Sequence, residues 1–162
     1  MSGEHDSPTL TPRRTRGGFV VARADEIPPG GRRIVEVANR SIGVFNVGGD
    51  FYGLRNRCPH QGGPLCEGRL LGVLEADRPG AFRWTGARRV LACPWHGWEF
   101  DITTGQSWCD PARLRAARYE TAAVGGGDLL EPPAPGLVTG PYVAETYPIT
   151  VEERYVVVDV RT

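Results

Sequence analysis

CPHQGGPLCEG at residues 58–68 and CPWHGWEFD at residues 93–101 are the two runs that carry the strongest signal in this chain. Each run supplies one thiol and one imidazole from a short loop that contains proline. Glycine follows the histidine in both loops, which predicts that the backbone lies close to a bound group. We therefore expect two thiols and two imidazoles to meet at one metal site, and the candidate ligands are Cys58, His60, Cys93 and His96.

Two kinds of metal site are compatible with this donor set. A tetrahedral zinc site accepts two thiolates and two imidazoles. The common zinc finger, however, pairs Cys with Cys and His with His, whereas each loop here holds one of each. Mixed pairs match a two-iron centre in which one iron takes both thiolates and the other takes both imidazoles. A zinc-stabilised binding module is the alternative.

The two loops resemble the cluster-binding loops of Rieske [2Fe–2S] proteins, above all those of Rieske ferredoxins and of ring-hydroxylating oxygenases. The resemblance covers residues 19–160. It implies that Cys58 and Cys93 bind one iron, that the two imidazoles bind the other, and that the cofactor is one Rieske-type [2Fe–2S] cluster. It also implies an antiparallel β-sandwich or barrel, with a small cluster-binding β subdomain near residues 56–110 that carries both metal loops.

Composition and local patterns independently predict an all-β fold. The 162 residues include 22 glycines and 14 prolines, which helices tolerate poorly. Only Asp110–Tyr119 has a helical composition, with Asp110 as the N-cap and Pro111 at the first helical position. Short runs rich in β-branched and aromatic residues alternate with turns. The predicted strands are Phe19–Arg23, Arg33–Val37, Ile42–Val47, Phe51–Arg55, Leu70–Glu75, Phe82–Thr85, Val90–Cys93, Glu99–Ile102, Thr146–Val151 and Tyr155–Val160.

The chain is long enough for one domain of ordinary size. We expect a single Rieske domain at residues 18–162, preceded by a mobile N-terminal tail at residues 1–17, which are polar and contain proline. Two segments are interpreted as insertions. The first, 71–90, is expected to form a lengthened hairpin with an additional turn at 85–89, and the second, 121–141, is rich in Gly and Pro.

Charge and hydropathy exclude several classes of protein. The 19 acidic and 19 basic residues cancel, so nothing indicates a nucleic-acid surface. No run of about 18 apolar residues is present, so no membrane span is expected. Arg13 and Arg14 are followed by too short an apolar run for an export signal. The expected location is the cytoplasm.

The histidine count limits the chemistry that the chain can perform. An oxygenase iron site requires two histidines and a carboxylate. The chain has three histidines, and the resemblance commits two of them to the cluster, which leaves His5. We therefore expect an electron-transfer component and not an enzyme by itself, namely a ferredoxin-like one-electron carrier between redox partner proteins, a reductase and a terminal oxygenase. The alternative is a small Rieske subunit of a multi-component oxidoreductase whose catalytic site lies on another chain.

Departures from the family pattern indicate a low reduction potential within the Rieske range. With neutral imidazoles the oxidised centre carries no net charge, so its potential exceeds that of an all-cysteine cluster. High-potential respiratory members carry a disulfide at the places of Gly63 and Trp95, and hydroxyl donors where Trp98 and Phe100 stand. Without these donors we expect a potential near roughly −150 mV. Both tryptophans are expected to pack the cluster loops.

The remaining candidates have structural interpretations. Cys66 and Cys109 lie outside the ligand pattern and are expected to be buried free thiols, or, for Cys66, to support the metal ligands from outside the site. Asp101 is expected to support its loop. Arg55 and Arg57 stand just before the first loop, and two interpretations stay open. Their charges can tune the cluster or form a docking face for a partner, or the two side chains can simply be solvated.

Overall fold

The computed structural model describes residues 11–15, 18–129 and 153–161. These residues form ten strands and three short 3-10 helices, at Ala24–Glu26, Leu65–Glu67 and Gly126–Leu129. The all-β prediction is confirmed. The strands are β1 (Arg13–Thr15), β2 (Gly18–Arg23), β3 (Arg32–Val37), β4 (Arg40–Val47), β5 (Asp50–Arg55), β6 (Arg69–Ala76), β7 (Phe82–Ala92), β8 (Glu99–Asp101), β9 (Arg118–Gly125) and β10 (Arg154–Asp159).

The strands are divided between two antiparallel sheets. Seven strands form the larger sheet in the order β1-β2-β10-β9-β5-β4-β3, and the smaller sheet has the order β6-β7-β8. The first Cys-Pro loop follows β5 and leads through Leu65–Glu67 into β6, and the second connects β7 to β8. The small sheet therefore determines where both loops lie.

Two apolar cores hold these sheets. The first is formed by side chains of the large sheet, such as Val21 and Val156, both fully buried. The second joins the large sheet to the small one, because Phe45 of β4 packs in the same cluster as Leu91 and Phe100 of the small sheet. The thiols of both Cys-Pro loops, Cys58 and Cys93, belong to this second core, which places these two candidate ligands between the sheets.

The hairpin predicted within residues 71–90 is confirmed, since β6 and β7 pair from Arg69↔Ala92 to Ala76↔Phe82. The prediction of a turn at 85–89 is wrong. In its place β7 runs unbroken, and its register with β6 shifts twice, between Leu71 and Gly72 and between Gly72 and Leu74. Such a shift accommodates extra residues in one strand as a bulge, so the polar run does not end the strand.

The short helix predicted at Asp110–Tyr119 is also wrong. The N–H of Leu114 donates to the carbonyl of Asp110 at 3.0 Å, which closes a single turn. The N–H of Ala116 then donates to the carbonyl of Gly105 at 2.7 Å. Because backbone groups bond back to the segment after β8, they are not available for a helical ladder, and β9 begins soon afterwards.

Part of the predicted N-terminal tail is a strand. Residues 13–15 fall within the predicted mobile tail, but they form β1 and pair with β2 in the register Arg13↔Val20. The strand predicted at Thr146–Val151 and most of the 121–141 insertion lie outside the described residues. The division into a tail and one domain at residues 18–162 stays a prediction. Within the described part of the chain, no helix has the length and apolar character needed to cross a membrane.

Candidate metal centre

The first loop, residues 58–63, is a tight turn closed by two backbone hydrogen bonds. The N–H of Gly62 donates to the carbonyl of Cys58 at 2.8 Å, and the N–H of Cys58 donates to the carbonyl of Gly63 at 2.8 Å. Gly62 has a φ of +81°. This left-handed conformation costs a residue with a Cβ about 1–2 kcal/mol, which explains why glycine stands there.

The second loop, residues 93–98, repeats the same backbone frame. The N–H of Gly97 donates to the carbonyl of Cys93 at 2.9 Å, and the N–H of Cys93 donates to the carbonyl of Trp98 at 2.8 Å. Gly97 has a φ of +69°, close to that of its counterpart. The Cys-Pro-X-X-Gly spacing common to both loops thus builds one turn twice.

The two loops differ in where the histidine stands. His60 is the third residue of its loop, whereas His96 is the fourth residue of the other. The two rings nevertheless meet, with centroids 5.0 Å apart and planes at 89°. His60 is half-buried and His96 is exposed. The structure therefore brings the two predicted imidazoles together and leaves one of them open to solvent.

The two thiols of the loops lie side by side in the core. Cys58 and Cys93 are 2% and 3% exposed, both are free, and both belong to the same core cluster. Burial raises the pKa of the Cys58 thiol, and the Cys93 thiol contributes in the same direction. The backbone N–H groups of His60 and Gln61 act in the opposite sense, because they stabilise a thiolate at Cys58. A metal ion that replaces the proton would benefit from these two donors.

Each loop packs its third residue against the sixth residue of the other. His60 stacks on Trp98 with centroids 4.3 Å apart and planes at 24°. In the reciprocal contact, Trp95 lies over Gly63, where an added Cβ would come within 2.8 Å of the indole. The predicted packing of the loops by both tryptophans is confirmed, although Trp95 is still 58% exposed.

One atom of the site lacks any partner in the described structure. His60 Nδ1 is buried, and no hydrogen-bond donor or acceptor reaches it. A buried polar atom without a partner costs about 1–3 kcal/mol, so it needs an explanation such as a bound ion. The site thus offers two thiols and two imidazoles, one of which has a nitrogen without a partner. This set of donors fits a metal centre with mixed sulfur and nitrogen ligands.

A single zinc ion takes all four ligands at one point, whereas a two-iron cluster takes two ligands on each iron. The two loop thiols lie in one buried core cluster, and the two imidazole rings contact each other beside it.

Within the described part of the chain, the hydrogen bonds of the Asp101 carboxylate reach β7 and the turn after β8, and not residues 93–98 of the loop that it was expected to support. Its carboxylate accepts hydrogen bonds from Arg89 Nε at 2.8 Å and from the N–H and hydroxyl of Thr103 at 2.8 and 2.6 Å. Burial alone would raise the pKa of Asp101, but these donors outweigh burial and the pKa is lowered. The sequence did not indicate Arg89 as the partner of this carboxylate.

A supporting residue was missed from the sequence. Asn56 lies between β5 and the first loop, and its Oδ1 accepts a hydrogen bond from the N–H of Cys66 at 2.7 Å. Its Nδ2 lies 3.3 Å from Ser41 Oγ of β4. The signal was an asparagine at a strand end immediately before a turn, a place where this side chain often bonds to the backbone.

The two other cysteines are free, as expected. Cys66 is fully buried against Gly43, and burial raises the pKa of its thiol to about 12. Cys109 is exposed, contrary to the expectation of a buried thiol. The sequence left the roles of Arg55 and Arg57 undecided. Arg57 extends over the first loop, and its guanidinium lies 3.6 Å from the position that a Cβ of Gly62 would take.

The fold and the donor set define a small β-sheet metalloprotein of the iron–sulfur class. Residues 18–120 match the family described as the Rieske [2Fe-2S] domain. This match spans more than half of the chain, and the chain belongs to the Rieske family. Its cofactor is accordingly one Rieske-type [2Fe–2S] cluster, and the protein is a one-electron carrier of the ferredoxin kind.

Two proteins and one solved structure are similar to this chain. The chain is 32% identical over 92 residues to the 3-phenylpropionate/cinnamic acid dioxygenase ferredoxin subunit of Shigella flexneri serotype 5b (strain 8401), covering 57% of this chain and 73% of that one. It is 31% identical over 94 residues to a human Rieske domain-containing protein, covering 58% and 52%. The ferredoxin of carbazole 1,9a-dioxygenase from Nocardioides aromaticivorans IC177 is 25% identical, with a TM-score of 0.47 over 70% of this chain and 89% of that one.

Proposed function

We propose that the chain holds its [2Fe–2S] cluster through Cys58 and Cys93 on one iron and His60 and His96 on the other, and passes single electrons to a partner oxygenase. The observation that carries this assignment is the pair of matching loops, which presents two thiols and two imidazoles together and leaves His60 Nδ1 buried without a partner.

Each part of the site has a separate task. The cluster, when bound, accepts and releases one electron. The apolar core around Cys58 and Cys93 keeps water from the sulfurs. The N–H groups of His60 and Gln61 stabilise negative charge on the first thiolate. His96 is exposed, so the imidazole side of the site is the side that a partner protein can approach.

The ligand assignment is tested by EPR of the dithionite-reduced protein. Wild type is expected to be red-brown, to contain one [2Fe–2S] cluster per chain and to give a Rieske-type signal. The variants H60C and H96C should each change that signal, because a thiolate replaces a neutral imidazole on one iron. H5C is the matched control, since His5 belongs to neither loop. A signal unchanged in both loop variants would overturn the assignment, and a colourless protein that contains zinc would support the zinc alternative.

The partner is inferred from a named relative. The Shigella protein is the ferredoxin subunit of a 3-phenylpropionate/cinnamic acid dioxygenase, and this chain covers 73% of its length. We infer that this chain likewise delivers electrons to an oxygenase component of a ring-hydroxylating system, and that a reductase supplies them.

A free carrier and a tightly held subunit differ in how the chain behaves when expressed alone. A carrier should accumulate as a monodisperse holoprotein that takes up one electron per cluster in coulometric titration. A subunit of a larger oxidoreductase should aggregate without its partner chain. Sedimentation analysis of the same sample therefore decides between the two.

We also infer a cytoplasmic location. The support is that Cys66 and Cys109 are both free, as is usual in a reducing compartment. Fractionation of the source cells followed by immunoblotting would contradict this if the protein were found outside the cytoplasm.

A further inference from the structure

Trp98 covers one face of the His60 imidazole. The ring centroids lie 4.3 Å apart and the planes are inclined by 24°, a stacked contact. The indole is half-buried and packs against the core that contains the two loop thiols. Its backbone is also fixed, because the Trp98 carbonyl accepts the N–H of Cys93 at 2.8 Å. The main chain of Trp98 thus closes the second loop, and its side chain joins that loop to the first.

The two imidazoles have different surroundings. His96 is exposed, and the Trp95 indole meets it edge-on, with centroids 6.4 Å apart. His60 has Trp98 stacked on one face, and the ring of His96 stands perpendicular to it. Turning the His60 ring about its Cβ–Cγ bond would push a ring edge into the indole. The stack therefore keeps the ring in the orientation in which Nδ1 is buried.

We propose that Trp98 is a positioning residue for His60, which acts by holding the imidazole plane and not by filling space. This rests on the proposed function, in which His60 is a ligand. Outer residues that orient a ligating histidine typically affect metal affinity by about 10–100-fold when they are removed. Loss of the flat indole should leave the histidine ring free to tilt, change the environment of the iron that it binds and speed the loss of iron.

The test compares replacements of Trp98 that keep or remove an aromatic plane. W98F keeps a ring that can stack, whereas W98L is apolar and bulky but has no plane. W108L is the matched control, since Trp108 is 54% exposed and is not part of either loop. The holoproteins are compared by EPR g-values, by midpoint potential and by the rate of iron release to a ferrous chelator.

The expected pattern is specific. W98L should show shifted g-values and iron release faster by about tenfold or more, W98F should stay close to wild type, and W108L should be unchanged. If W98L fails to hold a cluster at all while W98F and W108L hold one, the proposal is equally supported. The proposal is overturned if W98L matches wild type in g-values and iron release, or if W98F is as impaired as W98L, because a ring plane would then not be the cause.

Failure of the proposed function would look different. In that case H60C would leave the EPR signal of the otherwise wild-type protein unchanged, or wild type itself would bind no cluster. The Trp98 proposal fails where wild type carries the cluster and H60C alters the signal, but W98L matches wild type or W98F is as impaired as W98L.

Discussion

Replacing Gly68 by alanine should separate the two strands that carry the metal loops. Gly68 immediately precedes β6, and a Cβ added there would overlap the carbonyl oxygen of Ala92 and lie 2.8 Å from its carbon. Carbon atoms in contact are normally about 3.5–4.0 Å apart, so the backbones must move apart by about 1 Å. Ala92 pairs with Arg69 at the start of the β6–β7 ladder and immediately precedes the second loop.

The cost follows from that movement. Overpacking costs about 1–3 kcal/mol, and each backbone hydrogen bond stretched out of range costs about 1 kcal/mol. We therefore expect G68A to lose about 3 kcal/mol or more, which at about 3 °C per kcal/mol for a chain of this size lowers Tm by about 9 °C. Because the displaced strands hold both loops, the cluster should also be lost more readily.

G48A is the matched control, because it adds the same methyl group at a glycine that has free space around it. Gly48 lies in the turn between β4 and β5 with a φ of +65° and no atom within 4 Å of an added Cβ. Only the backbone conformation is then penalised, by about 1–2 kcal/mol or about 3–6 °C in Tm. Melting curves by circular dichroism, with visible absorbance to follow the cluster, measure both variants. If G68A melts at or above G48A and keeps its cluster equally well, the steric reasoning is refuted.

Four further predictions concern the surroundings of the site. D101N should lower Tm, because its amide oxygen can still accept from Thr103 but its NH2 group faces the Arg89 guanidinium, which loses a charge-assisted bond that contributes about 1.5–3 kcal/mol; a melt within error of wild type would contradict this. In the holoprotein at pH 8, DTNB should label one thiol, Cys109, and none in C109S, since the Cys66 thiol with a pKa of about 12 stays protonated and buried. Spectroelectrochemistry should give a midpoint near roughly −150 mV, and a strongly positive value would disprove the argument from missing hydroxyl donors. R57E should slow the oxidation of the reduced cluster by the anion [Fe(EDTA)]⁻ at low salt, whereas R78E, at the hairpin turn, should not. Equal rates in the two variants would show that Arg57 is only a solvated residue.

The loops were predictable because their information is local. Proline and the left-handed glycines at Gly62 and Gly97 define each turn within a few residues, and the Cys and His types define its chemistry. The same Cys-Pro-X-X-Gly spacing in both runs would also have indicated the repeated frame. The contact between His60 and Trp98 was not predictable in the same way, because it joins two loops that only the small sheet brings together.

The errors have a common physical origin. Asp110–Tyr119 has the composition of a helix, but tertiary backbone bonds such as that from Ala116 to Gly105 compete successfully with the helical ladder. The polar run 85–89 looks like a turn, but the cross-strand ladder with β6 carries the strand through it. In both cases long-range pairing outweighed local preference, which a single sequence does not reveal.

The β6–β7 hairpin gives this protein a built-in attachment point for electrochemistry. Its base, at Arg69↔Ala92, adjoins the loops, and its last pair, Ala76↔Phe82, lies seven residues further along β6. At about 3.3 Å per residue this is about 23 Å from the base. Asp77 in the turn is exposed, so a D77C substitution in a C109S background would provide one thiol for a gold surface. Molecules bonded there would stand on the hairpin with the electron-carrying end facing the solution, where soluble oxidants can be supplied in turn.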